Sequence, residues 1–205
     1  MAKVKICGIT NLDDARAAVN AGCDALGFVF FKKSPRYIEP DRAKEIIRQI
    51  PKRIIKIGVF VNSAERLVKR IAASCKLDIL QFHGAQSPEF CAKFKSYKII
   101  KVFRVKNKID RNQLRKYDAF AFLFDSFTRS KIGGSGKKFD WELIGCLAGS
   151  AKPVFLSGGL DEKNVRLAIK AAKPDWVDVS SGIELSPGKK DHKKMEKFIR
   201  AAKFC

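Results

Sequence analysis

The chain has 205 residues, 46% hydrophobic and 31% charged, which is the composition of a globular protein. No apolar run approaches the about 20 residues of a membrane-spanning helix. The start, Met1 to Ile6, passes directly into a strand-like pattern without the apolar core of a signal peptide, so a cytoplasmic location is expected. The formal net charge is +21, from 42 Lys and Arg against 21 Asp and Glu. These positives are spread along the whole chain with no dense basic stripe among aromatics. That pattern predicts general attraction for anions, and neither a specific nucleic-acid partner nor a membrane.

Six cysteines, Cys7, Cys23, Cys75, Cys91, Cys146 and Cys205, form no C-x-x-C pair, and no histidine stands at metal-ligand spacing from them. They read as reduced thiols, most of them small buried hydrophobes, and no metal is expected.

In chain order, the first apolar run is Val4 to Cys7, followed by a helix after Thr10-Asn11 that is weak in hydrophobicity. Ala25 to Phe30 is the second run. Its helix carries Ala43, Ile46, Ile47 and Ile50 at i, i+3, i+4, i+7 spacing, with Pro40 and Asp41 in the opening turn. Ile54 to Val61 precedes a stripe of Leu67, Val68, Ile71 and Ala72 with Ser63 as the expected cap. Ile79 to Phe82 precedes a helix opened by Ser87-Pro88, Ser as N-cap and Pro at the first helical position. Ile99 to Phe103 leads to the least patterned segment, after Asp110. Ala119 to Phe124 is followed by a helix with Trp141, Leu143, Ile144 and Leu147 and Asp140 as cap. Val154 to Leu156 precedes Val165, Ala168, Ile169 and Ala172. Trp176 to Val179 precedes Met195, Phe198, Ile199 and Ala202.

Eight near-continuous apolar strands alternating with helices suit a parallel sheet covered on both faces. An open doubly wound sheet and a closed barrel both satisfy that pattern. A dinucleotide fold needs G-x-G-x-x-G after its first strand, whereas this strand ends Cys7-Gly8-Ile9-Thr10. No composition shift divides the chain. The reading is one α/β domain over residues 1–205, a (β/α)₈ (TIM) barrel with eight parallel strands.

In such a barrel the chemistry sits at the C-terminal strand ends. Those positions hold Cys7, Arg36 in the loop after the second strand, Asn62, His83, Asp125, Ser157-Gly158-Gly159 and Asp178-Val179-Ser180-Ser181-Gly182. Glycine turns after strands seven and eight let backbone N–H groups approach an anion, and Ser180 and Ser181 add hydroxyls, so Gly158, Gly159, Ser180, Ser181 and Gly182 are the candidate phosphate cradle. Tight turns without a ligand are the other reading. Gly133-Gly134-Ser135-Gly136-Lys137 is no P-loop, because Lys138 follows where Ser or Thr is needed. The stretch from Ser126 to Lys138 reads as a lid or a plain surface loop. Cys7 is either a core thiol or, lowered by nearby positive charge, a general base. Asp125 is either a cap or salt-bridge partner or, raised by partial burial, a protonated acid. His83 reads first as a hydrogen-bonded structural histidine.

Lys5-Ile6-Cys7-Gly8-Ile9-Thr10, Gly27-Phe28-Val29-Phe30, Ser34-Pro35-Arg36-Tyr37-Ile38, Gly58-Val59-Phe60-Val61-Asn62, Gln81-Phe82-His83-Gly84, Gly133-Gly134-Ser135-Gly136, Phe139-Asp140-Trp141, Leu156-Ser157-Gly158-Gly159-Leu160, Asp178 to Glu184 and Pro187 to Asp191 together resemble the phosphoribosylanthranilate isomerase family. The resemblance runs end to end and is thinnest from Ile99 to Leu123. It implies an Amadori rearrangement in tryptophan biosynthesis, in which N-(5-phosphoribosyl)anthranilate becomes 1-(2-carboxyphenylamino)-1-deoxyribulose 5-phosphate, with no metal or organic cofactor. It implies Cys7 as general base, Asp125 as general acid and Arg36 as the holder of the anthranilate carboxylate, with His83 and Asp178 lining the site. It implies a monomer or a homodimer. Other phosphate-binding barrels are the rivals, among them a histidine-pathway isomerase with paired aspartates and indole-glycerol-phosphate synthase. A non-catalytic anion-binding barrel is a further one.

Overall fold

The structure, a computed structural model, describes residues 1–105, 109–126 and 141–204. Eight strands, β1 (Lys3–Cys7), β2 (Ala25–Val29), β3 (Ile55–Phe60), β4 (Ile79–Phe82), β5 (Lys98–Val105), β6 (Ala121–Ser126), β7 (Val154–Leu156) and β8 (Trp176–Val179), close into one parallel barrel in sequence order. Lys5 of β1 lies opposite Ala25 on one side and Asp178 on the other, which is the register that closes the ring. The helices are α1 (Leu12–Asn20), α2 (Pro40–Ile47), α3 (Glu65–Ser74), α4 (Pro88–Ala92), α5 (Arg111–Arg115), α6 (Glu142–Gly145), α7 (Val165–Ala172) and α8 (His192–Lys203). None of the helices among the described residues is long and apolar enough to cross a membrane.

Side chains alternate along each strand and so sort into two cores. Val4, Ile6, Leu80, Phe82, Phe122, Phe124, Val177 and Val179 face outward and pack with the helices. Ala25, Ile57, Ile79, Ile100, Val102, Ala121, Leu123, Phe155 and Trp176 fill the lower barrel interior, with Phe155 and Trp176 stacked at 4.8 Å. Nearer the mouth the interior holds Cys7, Val29 and Val59. The inward positions continuing from these are polar: Lys5, Gln81, Asp125 and Asp178 are all buried.

Several expectations move. The β3 helix is capped by Ala64 without a side-chain hydrogen bond, and Ser63 donates instead to the Val61 carbonyl, because the helix starts one residue later than its apolar stripe suggests. β5 runs from Lys98 to Val105, longer than its apolar core. β6 ends at Ser126, so Asp125 is still held in the ladder opposite Arg104. Ser87 does cap α4, and Asp110 caps α5, a cap the sequence pattern does not predict. After β8 the chain makes a 3-10 turn (Ser181–Ile183) and an antiparallel hairpin, β9 (Glu184–Ser186) with β10 (Lys189–Lys190), neither of which the sequence pattern predicts. Four cysteines, Cys7, Cys23, Cys75 and Cys91, are buried and Cys146 is exposed. The expected lid beyond Ser126, the Gly133 to Gly136 turn, the Asp140 cap and Cys205 lie outside the described residues.

Candidate active site

β1 supplies two inward residues, Lys5 and Cys7, between the outward Val4 and Ile6. Lys5 is fully buried, and its Nζ donates to Asp178 Oδ1 at 2.9 Å. Breaking a buried pair of this kind from one side costs about 3–5 kcal/mol, because the other charge is left unpaired. Burial opposes charge on Lys5. The Asp178 carboxylate and the Cys7 thiol outweigh it, so the ammonium's pKa is raised. Burial also pushes Cys7 and Asp178 up, against the pull of Lys5 and Lys190. Gly27, opposite Cys7 on β2, makes room for both side chains: a Cβ there would stand 2.9 Å from Cys7 Sγ and 3.1 Å from Lys5 Cε.

A second buried lysine comes from the hairpin. Lys190 Nζ donates to the Cys7 carbonyl at 2.6 Å and to Glu184 Oε1 at 2.9 Å, and its backbone N–H donates to Asp14 Oδ2. Burial lowers the Lys190 pKa, with Glu184 pulling the other way. Glu184 also takes Arg36 Nε at 2.8 Å and Nη2 at 2.6 Å, a bidentate pair that engages one edge of the guanidinium. Arg36 therefore sits at the mouth with its expected carboxylate-binding fork already on a protein carboxylate. Its Cδ lies where a Cβ on Gly8 would fall at 2.7 Å, and Gly8 has φ +78°.

Across the mouth, Asp125 follows the inward Ala121 and Leu123 on β6 and is 4% exposed. His83 Nε2 lies 3.9 Å from Asp125 Oδ2, beyond hydrogen-bond reach. Burial, then Arg104, Lys5 and Lys101, lower the His83 pKa from 6.5 to about 4, so the ring is neutral at physiological pH and makes no ion pair with Asp125. Among the described residues, His83 Nε2 and Gln81 Oε1 are buried without a hydrogen-bond partner. The Nε2 of His83 is therefore not satisfied by the described residues, unlike the fully hydrogen-bonded structural histidine expected from the sequence.

His83 sets a pH dependence. Its folded pKa lies below its unfolded one, so on acidification the unfolded chain takes the proton first and stability falls between pH 6.5 and about 4. The contribution lost is about 3 kcal/mol at 1.36 kcal/mol per unit. His83→Gln is expected to flatten that part of the stability–pH curve in urea titrations; an unchanged slope contradicts a neutral buried ring.

The turns after β7 and β8 close the opposite side. Gly158 and Gly159 have φ of +93° and +66°, conformations glycine adopts without Cβ strain. Asn164 Nδ2 donates to the Gly159 carbonyl at 2.9 Å and fixes this turn. Gly182 packs directly on the Leu160 carbonyl, so any Cβ would clash with backbone, and the absence of one brings the two turns together. Ser181 opens the 3-10 turn. The Ser180 hydroxyl donates to the Cys7 carbonyl at 3.0 Å, a commitment the sequence pattern does not predict. Sequence reasoning also missed Lys5, Lys190 and Glu184 as site residues. The available signal was a lysine placed inward, two residues before Cys7, in a run that is otherwise apolar from Val4 to Cys7.

A thiol, a carboxyl, buried cations and unpaired polar atoms gathered at the C-terminal mouth of a closed parallel barrel define a (β/α)₈-barrel enzyme whose site suits proton transfer. The family model described as N-(5'-phosphoribosyl)anthranilate (PRA) isomerase matches residues 4–201. A Geobacter sp. (strain M21) protein named N-(5'-phosphoribosyl)anthranilate isomerase is 46% identical over 203 residues, covering 99% of this chain and 98% of that one. The crystal structure of phosphoribosyl anthranilate isomerase from Thermotoga maritima superposes with a TM-score of 0.93 at 44% identity, each chain covered fully. A second isomerase structure, in complex with reduced 1-(o-carboxyphenylamino)-1-deoxyribulose 5-phosphate, gives a TM-score of 0.90 at 41% identity, also with full coverage of both. The chain belongs to the N-(5'-phosphoribosyl)anthranilate isomerase family and is an isomerase enzyme.

Proposed function

We propose that this chain catalyses the Amadori rearrangement of N-(5-phosphoribosyl)anthranilate to 1-(2-carboxyphenylamino)-1-deoxyribulose 5-phosphate in tryptophan biosynthesis, with Cys7 as general base and Asp125 as general acid. The observation that carries this reading is the inward placement of Cys7 on β1 and Asp125 on β6 at the same barrel mouth. Protonated Asp125 gives its proton to the furanose ring oxygen, the C1–O bond breaks, and an iminium forms between C1 and the anthranilate nitrogen. The Cys7 thiolate removes the C2 proton, which gives an enolamine. C1 then takes the proton carried by the Cys7 thiol, the C2 hydroxyl gives one up, and the ketone forms with the thiolate restored. The Asp125 carboxylate left by ring opening is placed to receive that last proton, so no net proton is consumed.

The substrate's ends match what flanks the acid and base. The turns at Gly158, Gly159, Ser180, Ser181 and Gly182 hold the phosphate through backbone N–H groups and the Ser181 hydroxyl, since the Ser180 hydroxyl is engaged with Cys7. Arg36 meets the anthranilate carboxylate with the guanidinium edge that Glu184 leaves open. Neutral His83 and Gln81 offer hydrogen bonds to the sugar hydroxyls between them. The chemistry uses only these side chains, and no metal or organic cofactor is assigned a step.

The test follows substrate fluorescence with phosphoribosylanthranilate generated in situ. The expected result is enzyme-dependent loss of the signal; folded protein that leaves it at the spontaneous rate overturns the proposal. In the same assay Arg36→Ala is expected to raise KM about tenfold or more, the scale of a lost charge-assisted hydrogen bond, with a smaller change in kcat. An unchanged KM moves the carboxylate site elsewhere.

A further inference from the structure

The proposed base needs its thiol ionised, yet Cys7 sits where burial raises its pKa. The groups facing it decide the outcome. From its own strand comes Lys5, fully buried. From β8 comes Asp178, 2.9 Å from Lys5 Nζ. From β10 comes Lys190, whose Nζ lies on the Cys7 carbonyl at 2.6 Å and on Glu184 of β9 at 2.9 Å. Arg36 leans over Gly8 and is tied to the same Glu184. His83, directly after β4, is neutral, and Asp125 of β6 stands beyond it.

Lys190 and Arg36 are both answered by Glu184, and the pull of Lys190 on the Cys7 thiol is weaker than that of Lys5. Lys5 is different. Among the described residues it has one carboxylate partner, Asp178, and its Cε and Cys7 Sγ both crowd the position a Cβ on Gly27 would take, at 3.1 and 2.9 Å. Strand alternation places the two side chains on the same inward face, two residues apart. A buried ammonium beside a thiol favours the thiolate, and a carboxylate on that ammonium draws the charge back.

We propose that Lys5 is the positioning residue that stabilises the Cys7 thiolate, and that Asp178 limits this by competing with Cys7 for the same ammonium. The idea deepens the reading of Cys7 as base. It has a signature that a purely structural ion pair lacks: removing the two partners shifts the thiol in opposite directions. Without Lys5 the thiol loses the stronger of its two cations and keeps a nearby carboxylate. Without the Asp178 charge, Cys7 is the remaining anionic partner of Lys5 among the described residues.

The experiment is the pH dependence of iodoacetamide alkylation at Cys7, read peptide by peptide so that exposed Cys146 does not interfere. Lys5→Met is expected to move the Cys7 midpoint up, and Asp178→Asn to move it down, each by about 1–2 units. The acid limb of the kcat/KM profile moves the same way in each. Lys5→Arg, which keeps the charge, holds the midpoint near that of the unaltered protein and decides the matter together with Asp178→Asn if Lys5→Met does not fold. Shifts of the same sign, or no shift in Asp178→Asn, overturn the proposal. Alkylation reads the thiol without substrate, so this proposal fails or stands separately from the assigned reaction.

Discussion

Cys7→Ala is expected to lower kcat by at least about 10²-fold, with the substrate still bound. General acid–base groups contribute about 10²–10⁴-fold, and the thiolate is the base assigned to the C2 proton. The loss belongs in kcat because Cys7 meets the reacting carbon, while the phosphate turns and Arg36 hold the ends of the substrate. The alanine leaves a small space beside Gly27, whose missing Cβ already accommodates the sulfur, so the barrel should fold. Steady-state fluorescence kinetics check this. A variant with near-normal kcat would remove Cys7 from the reaction and leave it a core thiol.

Asp125→Asn is expected to cost at least about 10²-fold in kcat as well. Asn has nearly the shape of Asp and keeps a donor, so the buried β6 position is preserved while the transferable proton is lost. Ring opening then becomes the slow event. The two variants separate by their pH profiles: Cys7→Ala loses the limb that reports the thiol, and Asp125→Asn loses the limb that reports the acid. An Asp125→Asn enzyme that retains both limbs and normal turnover contradicts the assignment of the acid.

The strands were legible because parallel barrel strands are covered on both faces and read as short apolar runs, as at Ile79–Phe82 and Trp176–Val179. Barrel geometry then pointed to Cys7, Asp125 and Asp178, each at or near a strand's C-terminal end. The glycines after β7 and β8 were legible for the same reason, though the tight seat of Gly182 on Leu160 needed the fold. Lys5, Lys190 and Glu184 were hidden. In a chain of net charge +21 two more lysines look like solvated surface, and their partners lie far off in sequence: Lys5 with Asp178, Lys190 with Cys7, Arg36 with Glu184. Pairing across such distances depends on closure of β1 against β8 and on a hairpin with no strong hydrophobic pattern. Ser180 shows the limit from the other side, since its hydroxyl looked available for phosphate and is instead held by the backbone of the proposed base.

The same closure gives the excess of positive charge a partial meaning. Lys5, Lys190 and Arg36 are drawn inward around a site proposed to take a phosphate and a carboxylate, where positive potential raises the encounter rate of an anionic substrate.

The central claim is that the Cys7 thiolate breaks the C2–H bond. Single-turnover rates with substrate deuterated at C2 of the ribose, measured across pH with enzyme in excess, test it most directly. The account predicts an isotope-sensitive step whose acid-side midpoint coincides with that of Cys7 alkylation and moves with it in Lys5→Met and Asp178→Asn. A chemical step insensitive to deuterium, or one whose midpoint stays fixed while the thiol's moves, would contradict it.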